Sequence, residues 1–299
     1  MYQQKSYQQL SDEGRLYLVP TPIGNLEDMT FRAVQCLKDC DLILAEDTRH
    51  TQKLLNHFQI KTPQKSFHKY NTEERIPEIL ALISEGKKIA QVSDAGMPVI
   101  SDPGSELVAR CCQEGMTVIP LPGANASLTG LIASGLKADC FTFIGFLPRK
   151  QKERLERLET FQNSEATMMF YESPFRLLQT LKDCQTVYGS ERQAVVVREL
   201  TKQYEEFNRG SLEELVAYFE KQSQIKGEIS FYVAGNPHPT TKDKMIQSSL
   251  DHLSLKEQVD WWMKKEDLTT KEAIKKVAKQ TQLKKQEVYC AYHELNKSN

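Results

Sequence analysis

Two stretches concentrate the side chains that could do chemistry. In A-E-D-T-R-H-T (45–51) an apolar run ends in two carboxylates, Glu46 and Asp47, followed by Thr48, Arg49 and a histidine. In V-S-D-A-G-M-P-V-I-S-D-P-G (92–104) the pairs Ser93-Asp94 and Ser101-Asp102 are each followed by glycine and proline. Paired aspartates could hold a metal ion, but a magnesium site working on phosphate also wants a cationic partner, and this loop has no Lys or Arg. Asp94 reads equally as a loop-stabilising carboxylate or as an acceptor for a ribose hydroxyl or an ammonium group. Asp102 reads as the turn and cap that sets the helix starting near Ser105. Asp47 or Thr48 can cap the next helix, yet so dense a polar cluster at a strand end favours a functional cleft. F-H-K-Y-N (67–71) adds His68 and Asn71, and F-L-P-R-K-Q-K-E-R-L-E-R (146–157) offers Arg149 and Lys150, as a solvated helix face or as a lip for phosphates.

Much chemistry is excluded. No G-x-G-x-x-G follows a strand and no G-x-x-x-x-G-K-[ST] occurs, which removes dinucleotide and P-loop readings. The six histidines are scattered, without H-E-x-x-H, and the seven cysteines lack C-x-x-C spacing, so no metal site is expected and a reducing cytoplasm suits the chain. A net charge of -1 leaves any nucleic acid to local patches. No apolar run reaches membrane-spanning length and the N-terminus lacks a signal-like apolar core.

The elements that must position these groups alternate. Leu16 to Val19, Leu42 to Ala45, Ile89 to Val92 and Met116 to Pro120 read as buried strands, separated by helices over Met29 to Leu37, Thr48 to Phe58, Asn71 to Glu85 and Ser105 to Glu114, with Ala124 to Ser134 after the last. Pro77 is expected at a kink or late in a first turn. The alternation predicts a parallel α/β sheet with glycine- and proline-rich loops at its C-terminal edge, where open sheets bind ligands. After residue 138 the pattern changes to strands at Ala166 to Tyr171, Ala194 to Arg198, Glu205 to Arg209 and Glu228 to Ala234, which predicts a mixed sheet with an antiparallel pair. The expected organisation is a flexible start (1–14), an N-terminal α/β domain (15–137), a C-terminal α/β domain (138–238) and a lysine-rich helical module (239–299). In that module Thr270 caps a helix-turn-helix-like unit and Trp261-Trp262 anchor the core; it reads equally as a nucleic-acid binder or as a structural cap.

Seven segments in one order, V-P-T-P-I-G-N-L-E-D-M-T (19–30), 45–51, 92–104, P-L-P-G-A-N-A (120–126), G-F-L-P-R-K (145–150), F-Y-E-S-P-F-R (170–176) and R-E-L-T-K (198–202), closely resemble the small-subunit ribosomal RNA methyltransferase I family of the tetrapyrrole (corrin/porphyrin) methylase superfamily. The resemblance implies a two-domain α/β tetrapyrrole-methylase-like fold, S-adenosyl-L-methionine in the cleft, a homodimer, and 2'-O-methylation of a cytidine in the decoding region of small-subunit rRNA. It implies cofactor contacts from Pro20, Ser93, Asp94, Gly96, Val99, Gly123, Asn125, Ala126, Phe170 and Tyr171. Glu46, Asp47, Arg49, Glu172 and Glu199 are then candidates for the catalytic cleft. His68, Asn71, Arg149, Lys150, Arg176, Arg198 and Lys202 are candidates for the RNA. The chain departs from the family at Met97, at Phe175 where histidine is usual, and at Lys69 and Tyr70, so no histidine is assigned as the base. Two other readings stay open: a tetrapyrrole C-methyltransferase, and a nucleic-acid-binding protein without catalysis.

Overall fold

The computed structural model describes residues 3–6, 13–239, 250, 253–281 and 283–293. Most of the expected flexible start, and the segment that follows Pro239, lie outside the described residues; Gln4 is described, and its side-chain amide bonds the main chain of Val118 in both directions, each at 3.0 Å. The chain forms two compact units, Met1–Asn236 and Pro237–Asn299.

The first unit holds two five-stranded sheets. In the first, β1 (Arg15–Leu18), β2 (Leu42–Ala45), β3 (Gln64–Ser66), β4 (Lys88–Gln91) and β5 (Thr117–Pro120) are all parallel, in the order β3-β2-β4-β1-β5. Crossover helices α1 (Phe31–Asp39), α2 (Thr48–His57), α3 (Thr72–Ser84) and α4 (Ser105–Gln113) cover both faces. One core gathers Val19, Leu37, Ile43 and Leu55, the other Leu16, Leu44, Ile79 and Leu107. Alternate strand residues thus feed opposite faces.

The caps correct several expected boundaries. Asn25 caps a short 3-10 turn (Leu26–Asp28) and Thr30 caps α1, so the helix starts two residues after Met29. Asn125 caps α5 (Ala126–Ser134) by accepting from the Leu128 N–H at 2.9 Å, which excludes Ala124 from the helix. Pro77 lies inside α3, past the first turn, where it removes one intrahelical hydrogen bond. Gly104, with φ 126, occupies the N-cap of α4, and no side chain caps that helix; Asp102 stands two residues upstream and does not serve as the expected cap.

In the second sheet β6 (Phe141–Phe146), β7 (Thr167–Glu172), β8 (Gln193–Arg198), β9 (Glu206–Ser211) and β10 (Ile229–Val233) run in the order β6-β7-β10-β8-β9. β6 and β7 are parallel, and every other pairing is antiparallel, including the expected β8–β9 pair. Helices α6 (Gln151–Glu159), α7 (Leu177–Tyr188) and α8 (Leu212–Glu220) cover one face. The other face packs Met169, Val195, Val197 and Tyr232 against Ile23 and Leu131, joining the two sheets. The Tyr232 hydroxyl donates to the Ala126 carbonyl at 3.0 Å, and Arg209 donates to the carbonyls of Ala133 and Ser134 at the end of α5.

The second unit is helical: α9 (Leu255–Glu266), α10 (Thr270–Thr281) and α11 (Lys285–Tyr292). Trp262, fully buried, packs with Val259, Ile274, Val277 and Val288, which bears out the anchoring role read for the tryptophan pair. Thr269 rather than Thr270 closes the start of α10, through its N–H and hydroxyl to the Glu272 carboxylate.

Candidate functional site

The C-terminal ends of β2 and β4 and the loop after β5 open into a cleft of about 530 Å³, closed on its far side by the second sheet. From the first sheet come Glu46, Asp94, Gly96, Asp102, Asn125 and Ala126; from the second come Tyr171, Glu172 and the run Gly227 to Ser230. Phe146, Ile100, Val197 and Leu200 supply apolar wall. Among the described residues that line it there are five carboxylates and no Lys, Arg or His. A smaller pocket of about 250 Å³ lies beside it, lined by Thr21, Pro22, His50, Lys53 and Ser93, and Asp94 is common to both.

The opening loop is built for close backbone approach. Gly96 has φ +82 and pairs in both directions with Thr21, at 2.9 and 3.0 Å. Ser93 is buried; its hydroxyl donates to the Gly96 carbonyl at 2.8 Å, while its own carbonyl accepts from the Thr21 hydroxyl at 3.0 Å. Asp94 stabilises the loop, its Oδ1 accepting the Asp47 N–H at 3.2 Å, and the residue also lines the cleft. Val99 (φ 76) and Ser101 (φ 66) adopt left-handed backbone, which is costly for a β-branched residue and concentrates strain beside the site.

Burial first and then the neighbouring Asp94 raise the Glu46 pKa, while His68 works in the other direction. Asp102, half-buried and facing Glu46 and Asp94, is pushed up to about 7 by burial first and then by those carboxylates. The Tyr171 phenol is raised chiefly by burial, with Ser127 hydrogen bonding against it and Asp102 adding to it.

Other sequence-derived residues have different work. Pro20 and Gly123 pack on each other behind the cleft: a Cβ at Gly123 would meet the Pro20 ring at 2.6 Å. Phe170 points into the opposite core, stacked on Phe231 with centroids 4.5 Å apart, because it neighbours Tyr171 on a strand. Asp47 is the N-cap of α2 and grips Arg49 through both oxygens; the arginine hydrogen bond holds its carboxyl well below the usual range, and neither residue lines the cleft. Asn71 accepts from the His68 N–H and donates to the Ser66 carbonyl, which ties the loop ahead of α3.

Four of the five expected RNA-binding cations already have a carboxylate partner. Arg176 meets Glu172 at 3.2 Å and donates to the carbonyls of Leu147 and Pro148. Arg198 is paired with Glu206, and Lys202 bridges Glu199 at 2.9 Å and Glu228 at 2.8 Å. Glu199 also accepts the Glu228 N–H, so it supports the cleft wall at Gly227 and Glu228 without lining it. Arg149 and Lys150 are exposed, and Lys150 pairs with Glu153 at 3.0 Å on the surface. Asp102, Phe146 and Leu200 also line the cleft, places that no local sequence pattern marks, and the left-handed backbone of Val99 and Ser101 has no local signal beyond the nearby proline and glycine.

The model of the tetrapyrrole (corrin/porphyrin) methylases matches residues 15–216. The chain belongs to that family. It is 49% identical over 294 residues to ribosomal RNA small subunit methyltransferase I of Halalkalibacterium halodurans, covering 98% of this chain and 100% of that protein. To the protein of the same name from Bacillus subtilis it is 47% identical over 290 residues, covering 97% and 98%. The fold is shared with cobalt precorrin-4 methyltransferase (19% identity, TM-score 0.55, covering 76% of this chain and 97% of that one). It is shared too with uroporphyrin-III C-methyltransferase of Thermus thermophilus in complex with S-adenosylhomocysteine (20% identity, TM-score 0.52, covering 74% and 97%).

Proposed function

We propose that this chain methylates small-subunit ribosomal RNA, using S-adenosyl-L-methionine to modify the 2'-oxygen of a cytidine ribose in the decoding region. The observation that carries the reading is the charge of the cleft. Five carboxylates line it, without a cation among the described residues; Glu172 and Glu228 are paired with Arg176 and Lys202 outside the lining, and the remaining Glu46, Asp94 and Asp102 suit a ligand bearing sulfonium and ammonium groups, while the apolar patch of Val197, Leu200 and Ile229 suits an adenine ring. When bound, the cofactor supplies an already activated methyl group. Gly96 then offers backbone at close range, Asp94 an acceptor, and the second sheet a water-excluding lid over the reacting atoms.

The same absence of cations bars phosphates from the cleft floor, so the RNA backbone is held outside it. Arg149 and Lys150, exposed at the start of α6, fit that role. The near-full-length likeness to rRNA methyltransferases supports RNA over a tetrapyrrole as acceptor. The reading includes a homodimer, supported by Leu128 and Ile132, 41% and 79% exposed one turn apart on α5. It includes a cytoplasmic location, supported by the ribosomal acceptor; among the described residues no helix is long and apolar enough to cross a membrane.

Tritiated-methyl transfer to purified small subunits that lack the modification, followed by nuclease mapping, tests the reading. Label in a single ribose-methylated cytidine is expected. No incorporation at saturating cofactor sinks it.

A further inference from the structure

We propose that Asp102 is the catalytic residue that accepts the proton of the acceptor hydroxyl, which assigns it a chemical task in place of the turn role its Asp-Pro-Gly context suggests. The assignment rests on the reading of the cleft as a methyl-transfer site.

Asp102 lines the cleft from the loop that follows β4, across from Tyr171 on the second sheet. The carboxylate has no hydrogen-bond or ion-pair partner among the described residues, unlike Asp47, Glu172 and Glu199, whose oxygens are engaged. Its backbone is held by more than the turn needs. Val99 and Ser101 are left-handed on one side, and on the other the Gln91 amide donates to the Pro103 carbonyl at 2.6 Å. Gly104 takes the cap position of α4, which frees the Asp102 side chain to face the cavity. Strain kept at a cleft wall, where a plain βα turn would serve, is the mark of an aimed group.

The titratable groups facing it are Glu46 from the end of β2, Asp94 from the end of β4 and Tyr171 from β7. Burial, then Glu46 and Asp94, leave its acidity near neutrality, the value at which a carboxylate serves best as a base toward a hydroxyl. Glu46 also lines the cleft and is likewise raised, by burial first and then by Asp94, with His68 acting against them; what sets Asp102 apart is the strained backbone that aims it. No three of the described His, Cys, Asp or Glu residues are grouped to hold a metal ion, so the acidic wall is not arranged as a metal cage.

In the step, the Asp102 carboxylate takes the 2'-hydroxyl proton as the oxygen lone pair forms the new O–C bond to the methyl carbon. The electron pair of the breaking C–S bond returns to sulfur, so the sulfonium becomes a neutral thioether. The proton rests on Asp102 and leaves to solvent at the cleft mouth.

Single-turnover transfer to small subunits is measured from about pH 5.5 to 8.5 for the wild type, D102N and D102E, with S-adenosylhomocysteine binding followed by calorimetry. The wild-type rate is expected to rise with pH and level off above about 7, because protonated Asp102 cannot accept a proton. D102N is expected to bind S-adenosylhomocysteine within about threefold of the wild type yet transfer on the order of 100-fold more slowly, with no pH limb, and D102E to recover part of the rate. D102N transferring within about threefold of wild type at high pH overturns the proposal, as does a loss of rate matched by an equal loss of cofactor affinity. Infrared difference spectra of wild type minus D102N give the protonation midpoint without RNA. A midpoint near 7 supports the role, and one below about 5 removes it whatever the acceptor proves to be. Failure of the wild type to label subunits, with that midpoint near 7, discards the RNA reading and not the proton acceptor.

Discussion

Glu172 shows how a residue can touch the cleft and still be structural. Its side chain is fully buried, and it accepts from the Ser173 N–H and the Thr180 hydroxyl, each at 2.8 Å, while pairing with Arg176. Arg176 in turn carries the Leu147 and Pro148 carbonyls that begin the basic lip, and its Nε is buried without a partner. Removing one member of such a set leaves the other's charge stranded. Glu172→Ala is therefore expected to lose roughly 3 kcal/mol of stability, read as a lower urea midpoint, before any effect on chemistry. Glu199 predicts a pH effect of definite sign. Its carboxyl is lowered, first by the Glu228 N–H and then by Lys202, so its stabilisation is full above the unfolded-state pKa and is lost as pH falls through the folded one. Thermal melts across the acid range are expected to show a shallower decline for E199Q than for the wild type; superimposable curves contradict this.

The elements explain which parts of this were legible in sequence. Strands and loops of the first sheet announce themselves because a buried parallel strand is a short apolar run and its exit loop must contain glycine, proline and capping side chains. Asn125 is such a signal: it is the cap of α5 and stands in the cleft wall at once. Asn125→Ala is expected to cost about 1 kcal/mol and to weaken S-adenosylhomocysteine binding, whereas Asn125→Asp keeps the cap. Calorimetry and urea unfolding separate the two effects. What sequence could not show was pairing across elements. Arg198, Lys202 and Arg176 look like phosphate ligands until the sheet brings Glu206, Glu228 and Glu172 against them. Asp102 looks like a turn residue until the fold half-buries it in the cleft wall beside Glu46 and Asp94, which raises its pKa. Arg176–Glu172 is close in sequence, but Lys202–Glu228 and the burial of Asp102 depend on contacts between distant segments, which leave no local pattern.

At the scale of the whole molecule, the charges are separated by function rather than balanced everywhere. A net charge of -1 conceals a cleft lined by acids and an exposed basic lip at the start of α6. This division predicts that cofactor and RNA binding respond to different mutations and to salt in different ways. Phosphate contacts release counterions, so RNA affinity falls with salt in proportion to their number. The cofactor cleft has no such contacts to lose. Charge reversal in R149E/K150E is expected to raise the KM for small subunits on the order of tenfold and to reduce the salt slope by about 1 to 2. S-adenosylhomocysteine affinity is expected to stay unchanged. The same substitutions test the structural role of the lip, because Arg154 already holds the Arg149 carbonyl at 3.0 Å and pairs with buried Asp183 at 2.6 Å. The loop backbone therefore stays in place when its exposed side chains change. Equal salt slopes for the variant and the wild type, with intact cofactor binding, would mean that the RNA backbone is met elsewhere on the chain.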